Sequence, residues 1–393
     1  MVLYLLVISI LVKNQTIISK GICLTLIFLF LVNQHSFAQE THQSTTFIEL
    51  NLHGGANYYP GGELEDELDN GYLGIDLRFG WQSYDRDNWS GIVNYANYGL
   101  GYWIGEVGQT SIFGTPMALY GFINFPLYRT KNIEFLIGPA LGIAFNLEPF
   151  HPETNIHNDL TGGTMAAFFN PSVSAAIKMT ESLDLRVGAN FIHMSNGGIR
   201  QPNTGFDMYG ANVGLRYQIN RKKYYQKVAY NALFPSKREK YKNQTSQINL
   251  FQGFGIDQNL EDMGTDIRYL VATTTVEYSH RFNEIHGISA GLDLFVDESV
   301  KPTEAYQKYG THLFPAIHVG YDLSFWKLAI RPQLGYLVTN AGRKTKTPLF
   351  MRLGLSVDIT NTLYFMAAVK SIYGFKADWA DFGLGVHLFK KQH

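Results

Sequence analysis

Between positions 191 and 207 the chain reads Phe-Ile-His-Met-Ser-Asn-Gly-Gly-Ile-Arg-Gln-Pro-Asn-Thr-Gly-Phe-Asp, and three of these side chains can do chemistry together. His193 and Ser195 are two positions apart, so on an extended strand both leave the same face, with Cα atoms about 7 Å apart. An imidazole can reach a hydroxyl over that span. Serine alone is a poor nucleophile, and a histidine that accepts its proton is the usual remedy. A carboxylate on the far imidazole nitrogen then fixes the tautomer and stabilises the imidazolium, and Asp207 is the acid at hand.

Such groups act together only if the backbone holds them on one side. In residues 183–195 the odd positions Leu183, Leu185, Val187, Ala189 and Phe191 are apolar, while Asp184, Arg186 and Asn190 stand between them. That is the period of a two-faced strand, and His193 and Ser195 continue its apolar row. In the next segment Tyr209, Ala211, Val213, Leu215 and Tyr217 oppose Gly210, Asn212, Gly214, Arg216 and Gln218, and Asp207 begins the apolar row. The three candidates therefore share a face.

Alternation of this kind recurs along the chain, for example over 73–82, 133–146 and 351–359. It fits a soluble sandwich, where the apolar face is the core, or a membrane barrel, where that face meets lipid. Segment length favours the barrel, since about ten residues are what a tilted strand needs to cross a bilayer. Aromatic residues cluster near the segment ends, as at membrane interfaces. Composition agrees: only 17% of residues are charged, against about 25% in soluble domains. A net charge of -1 speaks against a nucleic-acid partner.

The first 38 residues read as a secretory signal peptide: Lys20, the apolar run 22–32, and Ser36-Phe37-Ala38 before Gln39. Cys23 is the only cysteine and falls inside this leader, so the mature chain carries no thiol chemistry. Eight strands fit before residue 220, roughly 46–57, 72–82, 91–105, 111–127, 133–146, 164–179, 183–195 and 207–219, with long loops on the side where residues 196–206 lie. A basic stretch over 221–244 reads as a linker. Roughly eight more strands fit in 245–393, and a shift of 180 positions lays 173–189 on 353–369 with the apolar parity kept. The expectation is an all-β outer-membrane protein: an eight-stranded transmembrane antiparallel barrel over 39–220 and a second, barrel-like half. One barrel of about sixteen strands is the alternative.

Two readings of these three residues remain open at this point. Either these residues are interfacial groups at a barrel rim, or the chain is a serine hydrolase whose substrate arrives sideways from the outer leaflet, where the abundant acylated molecule is lipopolysaccharide. A non-enzymatic pore or adhesin is the corresponding alternative function.

The pattern His193, Ser195, Asn196, Gly197, then Pro202, Asn203, Gly205 and the acid Asp207 resembles the lipid A 3-O-deacylase (PagL-type) family of outer-membrane enzymes, also labelled acyloxyacyl hydrolases. The resemblance extends over about 45–220. It implies hydrolysis of the ester-linked acyl chain at the 3 position of lipid A at the extracellular leaflet, with Ser195 as nucleophile, His193 as general base and Asp207 as orienting acid. It further implies that Asn203 and the Gly198 N–H supply the oxyanion hole, with Asn196 in support. Members of the family commonly carry glutamate where Asp207 stands, one methylene longer.

No metal and no cofactor are called for by this chemistry. The acidic group Glu63, Glu65, Asp66, Glu67 and Asp69 reads as a solvated loop, and His280 and His286 flank a turn rather than form a metal site. The 180-residue shift puts Tyr373 and Phe375 where His193 and Ser195 stand, so the second half is expected to be catalytically silent.

Overall fold

The computed structural model describes residues 44–59, 64, 68, 71–83, 93–219, 244–283, 285–302, 311–339, 347–372 and 376–392. The expected leader, the five acidic residues after the first strand, the basic stretch as far as Asn243, and Tyr373 and Phe375 lie outside them.

The amino-terminal half contains β1 (Ser44–Tyr58), β2 (Tyr72–Ser83), β3 (Asn97–Val107), the one-turn helix α1 (Thr110–Phe113), β4 (Gly114–Arg129), β5 (Ile133–Gly138), β6 (Ala140–Leu147), β7 (Met165–Phe169), β8 (Ser172–Lys178), β9 (Leu183–Ser195) and β10 (Phe206–Ile219). These form a single antiparallel ten-stranded sheet whose pairings run round in a ring, with β9 on β10 and β10 on β1. This corrects the expectation of a closed eight-stranded barrel here. Two segments taken from the sequence as single strands, 133–146 and 164–179, are each broken in two. The registers Gly138↔Ser172 and Leu141↔Phe169 set Pro139 opposite Pro171. Proline has no N–H to give a ladder, so two prolines facing each other interrupt both strands at one level, and β4 and β9 each pair with the pieces on either side.

A second departure is α1, which stands where a strand from 111 was expected. The turn carries Phe113 into the interior, edge-on to Phe206 with ring centroids 5.7 Å apart. Gly114 follows at φ +77°, a left-handed conformation that favours glycine.

The two faces of this sheet are sorted the opposite way from a water-soluble protein. Ile48, Leu50, Leu73, Leu119, Val187, Val213 and Leu215 are exposed, whereas Glu49, Asp76, Arg78, Arg186 and Arg216 are buried. Inside, Arg216 Nε donates to Glu49 Oε2 at 2.6 Å, Arg78 Nε to Asp76 Oδ2 at 2.8 Å, and Tyr120 hydrogen-bonds Asp76. Buried charges persist when paired in this manner, and an apolar outer wall suits lipid. Towards the end where β9 stops and β10 begins, the filling turns apolar: Trp103, Phe113, Phe168, Ile192, Met194, Phe206 and Met208 form one buried cluster.

The carboxy-terminal half is a closed eight-stranded antiparallel barrel of β11 (Thr245–Asp257), β12 (Tyr269–Arg281), β13 (His286–Asp297), β14 (Leu313–Phe325), β15 (Leu328–Leu337), β16 (Leu349–Asp358), β17 (Leu363–Ile372) and β18 (Lys376–Gln392). The closed barrel is thus the half without the motif. Among the described residues no strand of one sheet pairs with a strand of the other, which excludes a joint sixteen-stranded barrel. Its interior is again polar: His318 bridges Asp293 (2.6 Å) and Glu277 (3.1 Å), and Arg352 reaches Asp381 at 3.1 Å.

The 180-position repeat has a structural basis. Thr180 Oγ1 accepts from the N–H groups of Ser182 and Leu183 at 3.2 and 3.0 Å, and Thr360 Oγ1 accepts from Thr362 and Leu363 at the same two distances. The turn between β8 and β9 is repeated between β16 and β17.

Candidate active site

Strand β9 ends on Ser195 and strand β10 begins on Phe206, so the whole motif occupies one hairpin. Pairing places Met194 opposite Phe206 and His193 opposite Asp207. Met194 and Phe206 point inward to the apolar cluster, which anchors the hairpin from behind. Because side chains alternate, His193, Ser195 and Asp207 are left on the outer face. His193 and Asp207 are each 29% exposed in their side chains, and Ser195 is buried to 9%.

His193 Nδ1 lies 2.7 Å from Asp207 Oδ1. An ionised carboxylate only accepts, so Nδ1 carries the proton and Nε2 is left as the acceptor. The shorter acid reaches because the two residues are direct cross-strand partners. Ser195 Oγ donates to Asn203 Oδ1 at 3.1 Å and accepts from the Gly197 N–H at 3.3 Å. Asn203 Oδ1 also accepts from the Asn196 N–H at 2.9 Å, which fixes the orientation of its amide.

The loop after Ser195 closes on itself through Asn196. Its Oδ1 accepts from the Gly198 N–H (3.0 Å) and the Arg200 N–H (3.4 Å), and its Nδ2 donates to the Arg200 carbonyl (2.8 Å). The Gly198 N–H that the resemblance implies as an oxyanion donor is engaged by Asn196, and the backbone N–H bonded to the hydroxyl is that of Gly197. Gly197 and Gly198 both have positive φ, +69° and +91°. Gly205 is at φ +86°, and a Cβ there would lie 3.2 Å from His193 Cε1 and 3.6 Å from Ser195 Cβ. Neither Gly197 nor Gly205 was singled out for a role from the sequence; the need for glycine at the second follows from a contact across the hairpin.

Around these three residues the outer face is apolar. Ser195 is opposite Ala167 on β7, and Ala167 is opposite Ile143 on β6. Tyr58, Ile143, Met165, Phe191 and Tyr209 are exposed around them. Tyr58 is the β1 partner of Asp207, and together with Gly205 and Asp207 it lines a shallow depression. His280 and His286 take separate hydroxyl partners, Ser246 Oγ at 2.9 Å and Tyr321 Oη at 2.7 Å.

Residues 71–216 match the family model described as lipid A 3-O-deacylase (PagL), and residues 246–391 match the one described as acyloxyacyl hydrolase, C-terminal domain. No curated protein sequence matches significantly. Among solved structures, the outer membrane enzyme PagL is 18% identical, with 42% of this chain and 97% of that chain covered and a TM-score of 0.28. OpdO of Pseudomonas aeruginosa is 9% identical over 89% of this chain and 97% of its own, at a TM-score of 0.23. The P. putida toluene transporter TodX is 9% identical over 90% and 91%, at 0.17.

Proposed function

The chain belongs to the lipid A 3-O-deacylase (PagL) family of outer-membrane esterases, and on that basis we propose that Ser195, His193 and Asp207 are its catalytic triad, working from the lipid-facing wall at the extracellular leaflet. The observation that carries this reading is the 2.7 Å contact between His193 Nδ1 and Asp207 Oδ1 on the outer face, with Ser195 two residues further along the same strand. Polar groups on a wall otherwise lined by exposed apolar side chains have no evident structural purpose there.

The chemistry follows from the atoms. Ser195 Oγ turns its proton from Asn203 to His193 Nε2 and attacks the ester carbonyl carbon at the 3 position of lipid A. Asp207 stabilises the imidazolium that forms. The developing oxyanion takes hydrogen bonds from the Gly197 N–H and from the Asn203 Nδ2 amide, with Asn196 holding the loop in shape. Such preorganised donors are usually the largest single contribution to the rate. The tetrahedral intermediate collapses, His193 returns the proton to the departing 3-hydroxyl of the sugar, and an acyl-Ser195 ester is left. Water, deprotonated by His193, then attacks that ester and frees the fatty acid and the Ser195 hydroxyl. The acyl chain lies on the apolar surface beside the triad, where Ala167 leaves room next to Ser195.

The same reading takes residues 1–38 as a removed leader, 39–220 as the catalytic unit, 221–244 as a link and 245–393 as a non-catalytic unit. The test is mass spectrometry of lipid A from cells expressing the native protein, its Ser195→Ala variant, or neither. Loss of one 3-O-linked acyl chain only with the native protein supports the reading. An unchanged acylation pattern, with native protein recovered in the outer membrane, overturns it.

A further inference from the structure

The catalytic loop carries two glycines in succession, and glycine gives up more conformational freedom on ordering than any other residue. Asn196 braces the loop from within, but Gly197 and Gly198 have no side chains with which to pack. What occupies the space beside them comes from the other half of the chain. A Cβ on Gly197 would meet the Ala380 Cβ of β18 at 3.0 Å, and one on Gly198 would lie 2.6 Å from the Asp378 carbonyl oxygen. The barrel wall thus abuts the loop at a distance that only glycine permits.

Hydrogen bonds fix the same contact. The Gln258 N–H, just past the end of β11, donates to the Gly198 carbonyl at 3.0 Å. Gln258 Oε1 accepts from the Gln201 N–H at 2.7 Å. Its Nε2 is shared among the carbonyls of Asp262, Thr265 and Ile267, at 3.1, 2.9 and 3.1 Å. Gln258 is 2% exposed, so one buried residue ties the barrel's own turn to the loop at two points, through its backbone N–H at Gly198 and its side-chain amide at Gln201. Further out, Arg200 Nη2 donates to Asp266 Oδ1 at 2.9 Å. Residues 198 and 201 lie between Ser195 and Asn203, so what holds them also holds the serine and the amide that accepts from it.

We infer that the carboxy-terminal barrel is a positioning element for the hydrolase, with Gln258 as the positioning residue that sets the loop carrying the Gly197 N–H and Asn203 against Ser195. This rests on the deacylase reading above, and it gives the motif-free half a task in the reaction without a catalytic residue of its own. Misplacement of catalytic groups by about 1 Å can cost on the order of a hundredfold in rate.

The test uses the full-length purified protein and lipid A in detergent, with release of 3-hydroxy fatty acid as the assay. Gln258→Met keeps the side-chain length and removes both hydrogen-bonding roles, while Ala380→Leu presses on Gly197 from the barrel side without touching Gln258. Both are expected to lower kcat by about tenfold or more with KM held within about twofold, the pattern of a lost transition-state interaction. Leu292→Ala, on the exposed wall of β13, is expected to leave both constants unchanged. A nitroxide on Ile199→Cys, made together with Cys23→Ser so that one thiol is labelled, reports the loop directly, and its mobility is expected to rise in Gln258→Met. If Gln258→Met loses its heat-modifiable fold on gels, the kinetics of Ala380→Leu alone decide the outcome. Native kcat in the variants, or a change in KM only, overturns the inference. A native protein that releases no fatty acid overturns the deacylase reading instead.

Discussion

His193 and Asp207 stand directly opposite each other on β9 and β10, with Nδ1 and Oδ1 2.7 Å apart. Cross-strand partners on one face are the nearest neighbours that a sheet offers. The same row continues through Tyr58 on β1 and Phe169 on β7, so the pair sits between two aromatic residues on the outer wall. Ser195 belongs to the next outward-facing row, beside Ala167. The whole candidate site is thus a consequence of register in one hairpin.

Ser195→Ala and His193→Ala should each reduce deacylation by about a thousandfold or more, because a nucleophile and its base act as a unit. Neither side chain belongs to the buried cluster, so both variants should keep the fold. Fatty-acid release by mass spectrometry, alongside the heat-modifiable gel shift, checks both halves of this expectation.

Asp207→Asn preserves shape but offers an amide to the imidazole, which permits the wrong tautomer. A loss in kcat of about a hundredfold or more is expected, with KM little changed. Asp207→Glu should retain more activity than the Asn variant, because it keeps the carboxylate. Steady-state kinetics of the two variants side by side would reveal an equal loss if the acid had no part in orienting His193.

At Gly205 even alanine is unwelcome. The left-handed backbone costs roughly 1–2 kcal/mol for an ordinary residue, and the new methyl would press on His193 Cε1. Gly205→Ala should therefore lower kcat more than it lowers stability, which parallel kinetics and thermal unfolding can separate.

Ala167 is the small residue beside Ser195. Ala167→Phe should obstruct the acyl chain and lower kcat/KM for lipid A by about tenfold. Hydrolysis of a short-chain aryl ester, which does not need that surface, should fall much less. Comparable losses on both substrates would contradict an acyl site at this position.

Glu49 answers for a different link, between interior charge and stability. It faces Arg216 at 2.6 Å, Arg186 at 3.6 Å and Arg78 at 3.8 Å, all buried. Glu49→Gln removes the shared anion from between three guanidinium groups, and breaking a buried ion pair from one side costs about 3–5 kcal/mol. A lower midpoint in urea unfolding from detergent is expected, while protein still folded should keep its rate of deacylation.

Much of this was legible in the residues alone, and for a local reason. Alternation with period two is imposed by the backbone, so the odd row from Leu183 to Ser195 and the row from Asp207 to Tyr217 announce which side chains share a face. The same rule gives the strands of the second half to within a few residues, and the order of motif residues points to the family. The short helix at Thr110–Phe113 was not legible, because Phe113 turns inward to meet Phe206, a partner far away in the chain.

Local pattern was therefore enough for the two-faced strands, for the hairpin carrying Ser195, His193 and Asp207, and for the family to which it belongs. Three further matters were settled only in the folded chain. Two strands are split where Pro139 meets Pro171, so that the amino-terminal half is a ring-bonded ten-stranded sheet and the closed barrel is the other half. The Gly198 N–H goes to Asn196, which leaves Gly197 beside the serine. Gln258 comes against the loop after Ser195 from residues that no motif marks. Periodicity is a property of neighbours along the chain, whereas these three depend on register and contact between distant segments, which no local pattern encodes.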